Sequence, residues 1–335
     1  MTHSGTLTSR PDDEEVPGTG TELPGKEGYG AGKTMSLTGF IVCFLGAILF
    51  STKAIIVKKA FHATSVGPLT LLTLRMVFSL PFYIGAAIFS SQKKGNVRMN
   101  SRQWLYVIVL GMLGYYLSSL FDFVGLQYVS AGLERLILFL YPTFAVLINS
   151  LVFKQSIGRL QKLALAVTYV GIGIAYFGEL KLDVRNTNFY WGSFLIFLCS
   201  ITYSLYLVGS GRLIPVMGAT KFTAYAMLSS TAGVVLHFLL QGNHGGSLIS
   251  HQLLGYSVLL ALLATVIPSF MLSYGIKKIG SSNASILTSI GPVSTIIQAH
   301  FILGDPIVAE QILGTALVIA GVLMIGWQTR QAREI

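Results

Sequence analysis

From residue 37 onward, long apolar runs alternate with short polar breaks, and the runs share one recurrent length. A bilayer core of about 30 Å needs about 20 apolar residues in a helix. On that ruler the chain predicts ten membrane helices, near 37–58, 68–90, 104–128, 131–152, 160–178, 190–210, 220–240, 253–275, 281–303 and 309–327. The expected fold is therefore all-α and integral to a membrane. The polar stretch "GELKLDVRNTN", 178–188, divides the ten into five and five. Because five is odd, a second half built like the first enters the membrane in the opposite sense. Two inverted five-helix repeats, 37–178 and 190–328, are the expected architecture. At an offset of 150, Pro142 falls with Pro292, Gln161 with Gln311 and Gly171 with Gly321.

The ends read differently. Residues 1–34, rich in Gly, Pro, Thr and acid, offer almost nothing to bury and are expected to be a disordered cytoplasmic tail; 329–335 form a second, short one. No basic start, short apolar core and cleavage site mark a secretory signal, so the first apolar run is expected to act as an uncleaved membrane signal. The stretch "EGYGAGKT" ends like a phosphate-binding loop, but Glu27 stands where that motif needs glycine. With no strand before it, nucleotide binding is not expected there, nor is any cofactor.

Composition sharpens the class. The chain is 53% hydrophobic and 11% charged, against about 25% charged in ordinary soluble domains, and its mean hydropathy is +0.68. A net charge of +10 could suit nucleic acid, but the basic residues are scattered between apolar runs rather than gathered on one face. They sort by topology instead. With the N-terminus inside, fifteen fall on the cytoplasmic side, Lys93, Lys94, Lys154, Lys277 and Arg330 among them, and four outside, Lys58, Lys59, Lys181 and Arg185. That asymmetry supports an even number of helices and cytoplasmic ends in the cell membrane. Cys43 and Cys199, both in apolar runs, suggest neither a disulfide framework nor a metal cluster.

The order and spacing of "GAILFSTKAIIVKKAF", "LTLLTLRMVFSLPF", "GLQYVSAGLERLILFLYPTFAVLINSLVF", "LALAVTYVGIGIAY", "ASILTSIGPVSTIIQAHFILGDP" and "GTALVIAGVLMIGW" resemble an EamA-type member of the drug/metabolite transporter superfamily. The resemblance spans about 37–328 and implies two five-helix repeats and solute transport across a lipid bilayer. It has departures. The family's first-helix Trp is absent near Gly46, and Lys154 and Gln155 stand where an acid is usual after the fourth helix, while Asp305 keeps the acid after the ninth.

Within the first four helices lie Lys53, Arg75, Asp122, Glu134 and Arg135. Each ionisable group at mid-helix costs about 2.5–3.5 kcal/mol, so five left alone would cost about 12–17 kcal/mol, as much as a typical protein's whole stability. They need partners or water. At 1.5 Å per residue all five lie within about 10 Å of the outer helix ends, which brings them to one level although their helices run in opposite directions. Glu134 and Arg135 are neighbours about 100° apart on one helix, so each needs a partner elsewhere. Depth alone pairs Glu134 with Lys53 or Arg75, and Arg135 with Asp122.

The layer reads either as a fixed ion-pair cluster closing the outer side or as groups lining a cavity that exchange partners during transport. Three bases against two acids leave one positive charge, which would suit a substrate carboxylate. Glu134 or Asp122 is expected to be protonated in one state, coupling a proton to the solute. Pro142 and Pro292 interrupt helices four and nine, and freed backbone groups there could touch solute or merely kink the helix. Tyr141, Asn149, Ser294 and Gln298 read as polar or aromatic lining or as inter-helix hydrogen bonding. Tyr115 reads as packing, His300 as a helix-end histidine or gating group, and Gly171, Gly173, Gly314 and Gly321 as close helix contacts.

The expected activity is secondary transport of a small metabolite, an amino acid or related organic anion, by alternating access. The opposing reading is a sensor or structural protein on a transporter fold. A membrane enzyme ranks lower, because no nucleophile with an adjacent base appears. Monomer and homodimer are equally open.

Overall fold

A computed structural model describes Met1, 37–92, 98–154, 157–182, 187–242, 250–279, 287–288 and 290–334. The tail at 2–34, its GKT stretch, Lys93, Lys94, Gln155 and Arg185 lie outside the described residues. The chain divides into Met1–Thr34 and Met35–Ile335, and all that follows concerns the second unit.

Every regular element among the described residues is helical. They are α1 (Leu37–Thr64), α2 (Pro68–Gln92), α3 (Ser101–Gly125), α4 (Ala131–Leu138), α5 (Tyr141–Phe153), α6 (Arg159–Leu182), α7 (Phe189–Met217) and α8 (Ala219–Gln241). Then come α9 (His251–Ala261, continuing through Leu262–Val266 into Ile267–Ile279), α10 (Gly291–Leu303) and α11 (Ala309–Glu334). Among the described residues eight spans are long and apolar enough to cross a membrane, with α4 and α5 forming one of them, Ala131–Val152. Two shorter apolar helices, Gly291–Leu303 and Ala309–Met324, follow.

Local chemistry sets the ends. Asn100 opens α3 with a capping box, its side chain accepting from the Gln103 amide while the Gln103 side chain accepts from the Asn100 amide. Ser130 caps α4 and Ser250 caps α9 by accepting from the amide three residues on. Gly218, at φ +85°, turns the chain between α7 and α8 with a backbone that side-chain-bearing residues rarely adopt. Pro142 does not kink a continuous helix. The chain breaks at Phe139 and Leu140, and Pro142 sits in the first turn of α5, where its missing N–H costs nothing. Pro292 holds the same place in the first turn of α10.

The faces are inverted relative to a soluble protein. Phe89, Phe177 and Leu240 stand outward, while Glu134 is fully buried and Asp122 is 1% exposed. Such an outside is compatible with lipid, and with water the burial pattern would make no sense. Helix α6 lies against α11, α1 against α9, α2 against α8, and α3 against α7. The first pair is drawn close by glycine. A Cβ on Gly171 would stand 2.7 Å from the Gly314 carbonyl oxygen, and one on Gly321 would meet the Thr168 hydroxyl. Gly173, which the sequence also suggests as a close helix contact, makes none: nothing lies within 4 Å of a Cβ added there.

Candidate functional site

Lys53 brings three helices together. Its ammonium on α1 lies 2.8 Å from Asp122 Oδ2 on α3 and 3.6 Å from Glu134 Oε1 on α4. All three side chains are withdrawn from solvent, and the two carboxyl groups interact with each other as well as with the ammonium. The expected Lys53–Glu134 pair is present. The expected Arg135–Asp122 pair is not: Lys53 takes both acids, and Arg135 points elsewhere.

Arg135 donates from Nη2 to Ser51 Oγ at 3.3 Å and lies 5.6 Å from the centroid of the Phe50 ring. Gly291 makes room for it, since a Cβ there would stand 3.3 Å from its Nε. Thr295 on α10 donates to the Ser51 carbonyl at 3.4 Å, which ties α10 to the same turn of α1. Arg75 on α2 lies 5.3 Å from the centroid of the Phe123 ring. A guanidinium over an aromatic face gains electrostatic stabilisation without losing its donors. Arg75 Nε and Nη1 and Arg135 Nε remain buried with no hydrogen-bond partner.

Arg75 and Arg135 both line one cavity of about 400 Å³. Its wall takes Phe50 and Lys53 from α1, Arg75 and Tyr83 from α2, Tyr115, Ser118 and Asp122 from α3, and Arg135 from α4. Phe139 and Tyr141 follow, then Cys199 and Tyr203 from α7, Thr223 from α8, and Thr265 and Ser269 from α9. Among the described residues none from α6, α10 or α11 lines it. Two helical irregularities shape the wall. A π-turn over Met112–Leu117 carries Gly114 and Tyr115, and another over Leu262–Val266 carries Thr265. Such turns widen a helix and rotate the residues beyond them.

Of the residues singled out from sequence, Lys53, Arg75, Asp122, Arg135 and Tyr141 line the cavity. Glu134 stands behind Lys53 rather than on the wall. Pro142, Pro292, Gln298 and His300 are also off it. Gln298 donates to Ser294 Oγ one turn back on its own helix, at 2.8 Å. His300 Nδ1 bonds the Asp305 carbonyl at 2.9 Å and closes the end of α10. Burial pushes the Asp305 carboxyl above its usual range, against the pull of Lys58 and His62.

Several residues were missed. Tyr83, Tyr203 and Thr223 carry no charge to betray them, and in the sequence alone Tyr115 reads as packing. Glu179 falls in the polar break of the sequence, but α6 runs on to Leu182 and buries it. There it accepts from Ser130 Oγ at 2.5 Å and from Gln311 Nε2 at 3.2 Å, joining the start of α4 to α6 and α11. Nearby, Lys181 pairs with Glu310 at 3.2 Å on the exposed side. Among the described residues no group of three His, Cys, Asp or Glu is placed to hold a metal ion.

Comparison with known proteins follows the same outline. The model of the EamA-like transporter family matches residues 37–177 and again 190–327. The chain is 28% identical over 286 residues to the uncharacterized transporter YcbK of Bacillus subtilis, covering 82% of this chain and 88% of that protein. It is 26% identical over 232 residues to YyaM of the same organism, also an uncharacterized transporter, covering 69% of this chain and 75% of the other. A solved crystal structure matches with a TM-score of 0.60 at 19% identity, covering 88% of this chain and 98% of the other, which shows a shared fold.

Proposed function

Because this chain belongs to the EamA-like transporter family, we propose that it is a secondary active transporter that moves a small metabolite by alternating access, with the cavity beside Lys53 as its solute site. The observation that carries the reading is that cavity. It is enclosed by helices from both family-matched segments, and it holds charged side chains that the membrane interior would otherwise reject. A volume of about 400 Å³ falls within the range of small-molecule sites, about 300–1,000 Å³.

In this reading the chain forms ten membrane helices in two inverted repeats of five, with both ends in the cytoplasm. The family model matching the chain twice supports the duplication, and the paired places of Pro142 and Pro292 at helix starts agree with it. The charged layer then lies toward the outer side, while Tyr83, Thr223 and Ser269 lie on the cytoplasmic part of the cavity. The solute is an amino acid or related organic anion, moved outward.

Lys53, Asp122 and Glu134 form the coupling unit. Two carboxylates share one ammonium, so adding or removing one proton on Asp122 or Glu134 changes how strongly α1 is held to α3 and α4. That is the contact which must loosen for the outer side to open.

Comparison of the solutes retained and released by cells with and without the gene identifies candidates, and counterflow into proteoliposomes tests them. Accelerated exchange of one solute is expected. A sensor or structural protein on this fold would keep the cavity and exchange nothing.

A further inference from the structure

The charges on the cavity wall are unbalanced in a way that bears on the chemistry of the solute. Lys53, Arg75 and Arg135 line the cavity, and among the described lining residues Asp122 is the acid. Asp122 already has an ammonium 2.8 Å away, so the place where a substrate amine would bind is filled by Lys53. The donors are in the opposite condition. Arg75 and Arg135 are 5% and 6% exposed, and each keeps buried N–H groups without a partner. A buried donor left unpaired costs free energy that an incoming acceptor restores, and an ionised acceptor restores more of it than a neutral one.

The wall also carries Phe50, Tyr83, Tyr115, Phe139, Tyr141 and Tyr203 among its hydroxyl and aliphatic residues. Phe139 and Tyr141 pack edge to face at 5.5 Å between centroids, and Tyr141 and Tyr203 do so at 5.3 Å. The Tyr115 and Tyr83 hydroxyls are occupied, by Tyr206 at 3.0 Å and by Ser269 at 3.2 Å. Besides those hydroxyls, both side chains offer a solute ring surface. Rings set edge to face accept a further flat ring in the same geometry.

We propose that the solute is an aryl carboxylate monoanion without an amino group, its carboxylate received by the free N–H groups of Arg75 and Arg135 and its ring by the tyrosines and phenylalanines of the wall. The proposal rests on the transport reading above and narrows it. A zwitterionic amino acid fits less well, because its ammonium would meet three bases and an acid already paired. With Asp122 and Glu134 both ionised, a monoanion also cancels the single positive charge left by Lys53, Arg75 and Arg135.

Three compounds with one skeleton separate the classes: 3-phenylpropionate, phenylalanine and phenethylamine. Each is tested for counterflow in proteoliposomes of the purified full chain, with 3-phenylpropanamide as a neutral competitor. Vesicles loaded with total small-molecule extract of the cells read transport as such. The expected result is saturable exchange of 3-phenylpropionate, with the amino acid, amine and amide at least tenfold weaker. Arg75→Lys and Arg135→Lys keep the charge but lose the planar donor fork. Each is expected to raise the half-saturating concentration by about tenfold, the loss of one charge-assisted hydrogen bond, while the Lys53–Asp122 layer and the thermal midpoint stay near wild type. Exchange of phenylalanine or phenethylamine at least as good as that of the acid overturns the proposal and leaves transport standing. Exchange of the extract without any of the three also overturns it. No exchange from the extract, by protein that is folded, removes the transport reading itself.

Discussion

Lys53 on α1 lies 2.8 Å from Asp122 on α3, and the same ammonium is 3.6 Å from Glu134 on α4. One lysine thus fastens three helices inside an apolar bundle. The consequence is a layer that tolerates loss of either acid better than loss of the base.

Lys53→Met leaves two buried carboxylates without their counter-charge. Removing one partner of a buried ion pair costs about 3–5 kcal/mol, so the thermal midpoint of the purified protein should fall sharply. The double variant Lys53→Met with Asp122→Asn removes one of the stranded charges and should recover part of the loss. A double variant no more stable than Lys53→Met contradicts the assignment.

Coupling makes its own demand. If the shared proton lies on Glu134, Glu134→Gln transports with a rate that no longer varies with pH, and Asp122→Asn does the same if it lies on Asp122. Solute-driven alkalinisation or acidification of proteoliposomes reads this directly. A wild-type pH profile in both variants removes the coupling role.

The α6–α11 contact gives a paired test of packing. Gly171→Val places side-chain carbon against the Gly314 carbonyl, and overpacking of this kind costs about 1–3 kcal/mol. Gly173, two residues on, has open space beside it, and Gly173→Ala should stay within about 0.5 kcal/mol of wild type. Thermal unfolding of the two variants side by side checks both.

Ser130 serves two bonds at once, capping α4 and donating to Glu179. Ser130→Ala should cost at least the usual loss of a cap, about 1 kcal/mol. Ser130→Thr keeps a hydroxyl and should recover most of it in the same unfolding assay.

Much of the helical layout was legible because lipid imposes one length on every span, and a polar break cannot hide inside it. The level of Lys53, Asp122 and Glu134 followed from counting residues along helices of opposite direction. Their pairing was only half legible, since depth says nothing about azimuth: Arg135, about 100° round the helix from Glu134, turns to Ser51 and Phe50 instead of Asp122. Tyr83, Tyr203 and Thr223 were invisible for a different reason. On a membrane helix an aromatic or hydroxyl side chain looks the same whether it faces lipid, a neighbour or a cavity. Glu179 was misplaced because a short polar run reads as a loop, although Glu, Leu and Lys are good helix formers and carry α6 on to Leu182. The π-turns that bring Tyr115 and Thr265 to the wall left no mark that hydropathy could detect.

Solute counterflow with the purified protein in proteoliposomes tests the transport assignment most directly. Vesicles preloaded with unlabelled solute from the cell comparison should accumulate the labelled solute transiently above equilibrium, and Arg135→Lys should need a higher concentration for the same uptake. Folded wild-type protein that never drives the label above equilibrium, for any solute in the extract, contradicts the assignment of this cavity to transport.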